Sequence, residues 1–191
     1  MSDLAQKLID VGLIQFGWFG IDRKHPFAVQ TPFALHLEML PSYPDVLEQA
    51  AREVVAAVDG MNFTRLLCTF DSLPLGVVVS QISRIPLVYS RGSDEAAVFD
   101  LVGGYDIGHS TLMLTNVLGL EQPLTTMLRD VALIGLGVTT ILPILEVRNQ
   151  PQAAGVKVLP LLRFSNVVRD LAANDQLKLG HAQAVFNWLK S

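Results

Sequence analysis

Five apolar runs, each about the length of a strand, punctuate the chain: RLLCTF (65–70), PLVYS (86–90), STLMLTNV (110–117), VTTILPILEV (138–147) and VKVLPLLRF (156–164). Helical spacing or composition fills the gaps between most of them. Strands that are apolar on both sides need cover on both faces, and intervening helices supply it. The alternation therefore predicts an α/β fold with a central, mainly parallel sheet flanked by helices.

The clearest helix is PSYPDVLEQAAREVVAAVDG (41–60), where Val46, Leu47, Ala50, Val54, Val55 and Val58 recur at helical spacing. Ser42 and Asp45 stand at capping-box spacing before it, and Gly60 closes it. SLPLGVVVSQIS (72–83) and PLTTMLRDVALIGLG (123–137) read as further helices, and two helical segments follow the last strand. At the other end, MSDLAQKLIDVG is amphipathic through Leu4, Leu8 and Ile9 and lacks the basic start, apolar centre and cleavage site of a signal peptide. The next two segments, LIQFGWFG and PFAVQTPFALHLE, are aromatic and extended, with Pro26 and Pro32 as breakers.

Composition narrows the function classes. A chain of 191 residues that is 50% hydrophobic can bury one sizeable core, so a single domain is expected. Its net charge of −4 gives no electrostatic case for nucleic acid. The longest uncharged stretch, Val131 to Leu145, is 15 residues, too short to span a bilayer and broken by Gly135, Gly137 and Pro143. The single cysteine, Cys68, suits a reducing compartment and reads as a buried structural thiol, so a soluble cytoplasmic protein is expected.

In a parallel sheet, ligands bind in the crevice beyond the carboxyl ends of the strands. Four loops meet that description: those after Phe70, Ser90, Thr115 and Val147. Arg91 and Arg148 directly follow strands there, placing cations where an anionic ligand could meet them; a solvated or locally paired charge is the competing reading. His25, His36, His109 and His181 lack metal-ligand spacing, and no residue is assigned as a metal ligand or catalytic group.

Taken in order, LIDVGLIQFGWFG, DRKHPF, LPLGVVVSQISRIPLVYSR, LVGGYDIGHSTLMLTNVL and GVTTILPILEVR resemble orotate phosphoribosyltransferases of the type I phosphoribosyltransferase family, over nearly the whole chain to about Asp170. The resemblance implies an N-terminal hood (1–40), a core (41–170), a C-terminal helical extension (171–191) and a homodimer. It further implies transfer of ribose 5-phosphate from phosphoribosyl pyrophosphate to a pyrimidine base with Mg²⁺. The family's donor motif is an apolar strand ending in two acids that hold the ribose hydroxyls, then a small-residue loop that cradles the 5′-phosphate at a helix start.

Mapped onto LMLTNVLGLEQPLTT (112–126), that motif falls on Thr115, Asn116, Gly119 and Thr125, with Thr115 and Asn116 where the acids belong. Leucines and Pro123 replace most of the small loop residues, and Glu121 stands near the phosphate end. SRGSDEAAVFD keeps Arg91 but offers Asp94, Glu95 and Asp100 where the family's mobile loop carries lysines and a histidine for the departing pyrophosphate. FDSLPLG presents Asp71 toward the pocket, Ala28 and Val29 replace base-stacking aromatics, and Val147 replaces the acid before Arg148, the family's base contact. Trp18 and Phe19 are expected as hood or interface aromatics.

These departures lead to the expectation of a fold that has lost efficient transfer chemistry. Such a protein binds a nucleotide-like or anionic small molecule, or acts as a dimeric interaction protein, and holds Mg²⁺ only if the donor still binds. The alternatives are a divergent orotate phosphoribosyltransferase using Asn116 with Mg²⁺, and a structural subunit regulating a true transferase.

Overall fold

The computed structural model describes residues 1–19, 31–91, 101–120, 128, 131–133, 135–148 and 156–190. Pro26, His25, Ala28, Val29, Asp94, Glu95, Asp100, Glu121, Pro123 and Thr125 lie outside these residues.

Helix α1 (Asp3–Asp10) starts where Ser2 accepts a hydrogen bond from the Ala5 amide at 3.2 Å, satisfying one of the donors a helix start leaves open. Strands β1 (Ile14–Phe19) and β2 (Thr31–Leu35) form a small antiparallel sheet, with Phe16 opposite Phe33. A 3-10 turn (Leu37–Ser42) leads into α2 (Pro44–Ala57). Here the expected cap is corrected: Ser42 ends the 3-10 turn, Tyr43 caps α2, and neither helix start has a side-chain cap bond. Pro44 explains the shift, because its fixed φ and missing amide suit the first position of a helix. The expected stop holds, with Gly60 at φ +74°, a conformation costly for a residue with a Cβ.

The main sheet has seven strands: β3 (Arg65–Cys68), β4 (Leu87–Ser90), β5 (Leu101–Val102), β6 (Ser110–Leu118), β7 (Gly137–Glu146), β8 (Lys157–Val158) and β9 (Leu162–Arg163). Their order is β5-β4-β3-β6-β7-β8, with β9 also on β7, and all are parallel except β5 against β4. The expected 156–164 strand is split by Pro160, which has no amide to donate. Its two halves keep one register on β7, with Val158 opposite Ile141 and Leu162 opposite Leu145. Helix α3 (Leu73–Ser83) joins β3 to β4, and α4 (Phe164–Ala173) and α5 (Leu179–Lys190) follow β9. Leu128 and residues 131–133 are helical, within the expected 123–137 helix.

Successive strand residues point to opposite faces, and the core divides accordingly. Leu66, Cys68, Leu112, Leu114 and Leu142 pack with side chains of α1, α2, α3, α4 and α5. Leu67, Val88, Met113 and Ile141 pack on the other face with Val131 and Leu136. Each fully buried aliphatic side chain contributes about 1.5–3 kcal/mol, so both faces hold the sheet in place. Gly76 on α3 lies so close to β3 that a Cβ would collide with Cys68 Sγ and reach 3.2 Å from Leu87 Cδ1. Among the described residues, no helix is long and apolar enough to cross a membrane.

Candidate functional site

The crevice is bounded by the carboxyl ends of β4, β3, β6 and β7, in that order. Two expected strand ends move. β3 stops at Cys68 because the following residues turn: Ser72 N donates to Thr69 O at 3.2 Å, and the Thr69 and Ser72 hydroxyls pair at 2.8 Å. β6 runs past Thr115 to Leu118, paired with β7 through Val117–Leu145 and Leu118–Glu146. The motif residues Thr115 and Asn116 therefore lie inside a strand, as the run 110–117 leads one to expect, and the strand continues to Leu118. The chain leaves that strand at Gly119, whose φ of +92° a side-chain-bearing residue rarely adopts.

Both motif residues are buried, Thr115 6% and Asn116 3% exposed. Thr115 Oγ1 donates to Val117 O at 3.3 Å. The Asn116 amide is directed into the protein: Nδ2 donates to Asp71 O at 2.7 Å and to Leu37 O at 3.4 Å. One side chain thereby ties β6 to the turn after β3 and to the 3-10 turn before α2. Its Oδ1 is buried and has no hydrogen-bond partner among the described residues. Ser72, fully buried, reinforces the same joint by donating to Leu114 O at 3.0 Å. Asp71 is exposed, and its carbonyl serves as the acceptor for Asn116.

Cys68, directly beneath this joint, is buried and free. Burial pushes its thiol up to about 12, with the nearby Asp71 charge adding and a hydrogen bond with Ser72 opposing. Such a thiol is not a nucleophile at neutral pH.

The two arginines stand at opposite sides of the crevice. Arg91 follows β4 and is exposed, whereas Arg148 follows β7. With β3 and β6 between them, three strand spacings set their strands about 14 Å apart, and the register carries Arg148 four residues further along the sheet than Arg91. Arg148 packs against the C-terminal helix, its guanidinium 4.0 Å from the centroid of the Trp188 ring and its Nη2 donating to Trp188 O at 2.7 Å. Trp188 meets Phe33 edge-on at 4.8 Å, and Phe33 meets Phe164 at 4.7 Å, so β2, α4 and α5 converge beside the end of β7. Trp18, expected as a hood or interface aromatic, is 64% exposed and 6.3 Å from His181.

Sequence reasoning passed over Glu146. Val147 immediately precedes Arg148, and Glu146 stands one residue before that, 6% exposed and 3.3 Å from Arg163 Nε. A lone charge in a ten-residue apolar strand was the available signal. Trp188, Ser72 and the inward bonds of Asn116 depend on partners distant in sequence and left no local signal. Among the described residues, no group of three or more His, Cys, Asp or Glu could hold a metal ion. His109 Nδ1 instead accepts from the Asp106 amide at 3.0 Å, closing the turn before β6. Neutral Thr115 and inward-bonded Asn116 do not make the anionic donor set that Mg²⁺ prefers.

No protein-family model matches the chain, and no curated protein does. Solved structures do. A UMP synthase from Leishmania donovani superimposes with a TM-score of 0.81 at 19% identity, covering 98% of this chain, which spans 42% of that one. An orotate phosphoribosyltransferase from Francisella tularensis gives 0.73 at 10% identity, covering 98% of this chain and 97% of that one. The Mycobacterium tuberculosis orotate phosphoribosyltransferase in complex with 5-phospho-α-D-ribosyl 1-diphosphate gives 0.55 at 13% identity, covering 70% and 82%. Adenine phosphoribosyltransferases also match. The chain thus has the type I phosphoribosyltransferase fold, as the strand-end segments led one to expect.

Proposed function

We propose that this phosphoribosyltransferase fold serves as a binding protein: it takes a nucleotide-like or anionic small molecule in the crevice, acts as a homodimer in the cytoplasm, and does not transfer ribose 5-phosphate efficiently. One observation carries the reading: the positions that the resemblance assigns to ribose-holding acids are neutral and buried, and the Asn116 amide is already bonded to two backbone carbonyls.

The energetic consequence follows from charge. A neutral hydrogen bond contributes about 0.5–1.5 kcal/mol and one to a charged group about 1.5–3. Replacing two acids therefore removes roughly 2–3 kcal/mol, on the order of a hundredfold in donor or transition-state binding. Mg²⁺ enters no step of this reading, because the residues present do not suit it. The separation of Arg91 and Arg148, at least about 14 Å across the sheet, supports an elongated ligand with an anionic group at each end over a small anion gripped by both.

Asn116 Oδ1 favours a second reading. A buried acceptor with no partner can accept from a sugar hydroxyl, as a divergent orotate phosphoribosyltransferase would require. Calorimetry with phosphoribosyl pyrophosphate and Mg²⁺, followed by an orotate turnover assay, separates the two. The binding reading expects no tight donor binding and no turnover; micromolar binding with turnover would overturn it. Sedimentation tests the dimer independently, and a monomer at all concentrations would remove that part.

A further inference from the structure

We infer that the β4 side of the crevice recognises an α-amino carboxylate, with Asp71 taking the ammonium and Arg91 the carboxylate. This names the group at one end of the elongated ligand proposed above, and it rests on that reading.

The turn that presents Asp71 is fixed from several sides. Ser72 N donates to Thr69 O at 3.2 Å, the buried Ser72 hydroxyl donates to Leu114 O at 3.0 Å, and Asp71 O accepts from the Asn116 amide at 2.7 Å. These bonds use only the backbone of Asp71. Its carboxylate is exposed and enters no hydrogen bond or ion pair among the described residues. The helix that follows does not use it either, because α3 starts after Ser72 with no side-chain cap bond. At the end of a crevice that takes anions, a carboxylate held in place repels every ligand that does not carry a cation beside its anion. The same charge disfavours a pyrophosphate, which agrees with the loss of transfer chemistry proposed above.

The neighbours of Asp71 suit the rest of the group. Cys68 pairs with Tyr89, so Arg91, two residues beyond Tyr89, leaves β4 one strand spacing, about 5 Å, from the turn at Phe70. An arginine has five donors, so bonds it makes elsewhere leave others for a carboxylate. An ammonium and a carboxylate on one carbon present both charges within that span. Phe70, 63% exposed beside Asp71, offers a ring on which an apolar side chain of the ligand can pack.

Proton–nitrogen correlation NMR on the full chain tests this with three probes: L-phenylalanine, hydrocinnamate, which lacks the ammonium, and phenethylamine, which lacks the carboxylate. L-Phenylalanine should shift the Phe70, Asp71 and Arg91 amides and bind at least about fivefold more tightly than either comparator. Asp71→Asn keeps the carbonyl that Asn116 uses and should abolish the advantage over hydrocinnamate. Hydrocinnamate binding as tightly as L-phenylalanine, an unchanged preference in the folded variant, or no shift at these amides overturns the proposal. If the variant does not fold, the three-probe comparison on the unaltered chain decides. UMP separates this failure from that of the crevice: shifts there with UMP but not with L-phenylalanine sink only the α-amino carboxylate, whereas none with any of the four compounds counts against the binding reading as well.

Discussion

Returning an acid to the donor motif should damage the fold before it helps the chemistry, and Asn116→Asp shows why. Nδ2 donates to Asp71 O and Leu37 O from a side chain that is 3% exposed. Aspartate would direct a carboxylate oxygen at two carbonyl oxygens with almost no solvent. Burial and these like partial charges should raise the new carboxyl by about two units, and at about 1.4 kcal/mol per unit the loss at neutral pH is roughly 3 kcal/mol. The direction with pH follows from the raised value. Protonated, the carboxyl can donate to Asp71 O, so stability is retained below its unfolded pKa of about 3.9 and falls as pH rises through a folded value near about 6. Thermal melts at pH 4.5 and 7.5, with Asn116→Ala as reference, would show it. The expected deficit at pH 7.5 is about 6–12 °C for a chain of this size, shrinking markedly at pH 4.5. A variant as stable as the parent at pH 7.5, or one with the same deficit at both pH values, would refute the inward bonding. Donor affinity should not rise in either case.

Three further substitutions or reagents probe the surrounding packing. Gly76→Ala should destabilise by about 1–3 kcal/mol in urea melts by forcing a methyl against Cys68 Sγ, and Cys68→Ala in the same chain should recover part of that; additive losses would contradict the contact. Cys68 should react with Ellman's reagent at pH 8 only after denaturation, since burial holds the thiol up near about 12, and prompt native reaction would show the site to be open. Stability gained by keeping that thiol neutral is complete below its ordinary value of 9.0 and falls as pH rises toward about 12. Arg163→Met should cost about 1–3 kcal/mol by leaving Glu146 buried without its ion pair, with Arg163→Lys milder; an unchanged urea midpoint would show the pair to be energetically silent.

The periodic parts of this fold were legible because strand and helix patterns are local. RLLCTF and PLVYS each contain an observed strand, STLMLTNV and VTTILPILEV each match one to within a residue at either end, and 44–57 is a helix within the expected 41–60 segment. Ends were less legible, since pairing with a distant partner decides them. β6 goes on to Leu118, one residue past the run 110–117, because β7 supplies pairing up to Glu146. β5 is two residues long and exists only through its antiparallel contact with β4. The site divides in the same way. That Thr115 and Asn116 are not acids is plain from the sequence, whereas Asn116 reaches back 79 residues to Leu37, and Arg148 reaches forward 40 to Trp188. Such long-range partners carry no spacing rule that a single sequence could reveal.

The interrupted strand beside β7 bears on how this molecule behaves in a crowded solution. Leu159 and Leu161 donate inward to Ile141 O and Pro143 O, so Pro160 between them faces away from β7. At that point the margin of the sheet offers a pyrrolidine ring in place of a donor, which hinders another chain from adding a strand. The opposite margin is the two-residue β5, too short to template an extended ladder. Among the described residues, a sheet whose middle is long and very apolar thus has margins that discourage the addition of a further strand.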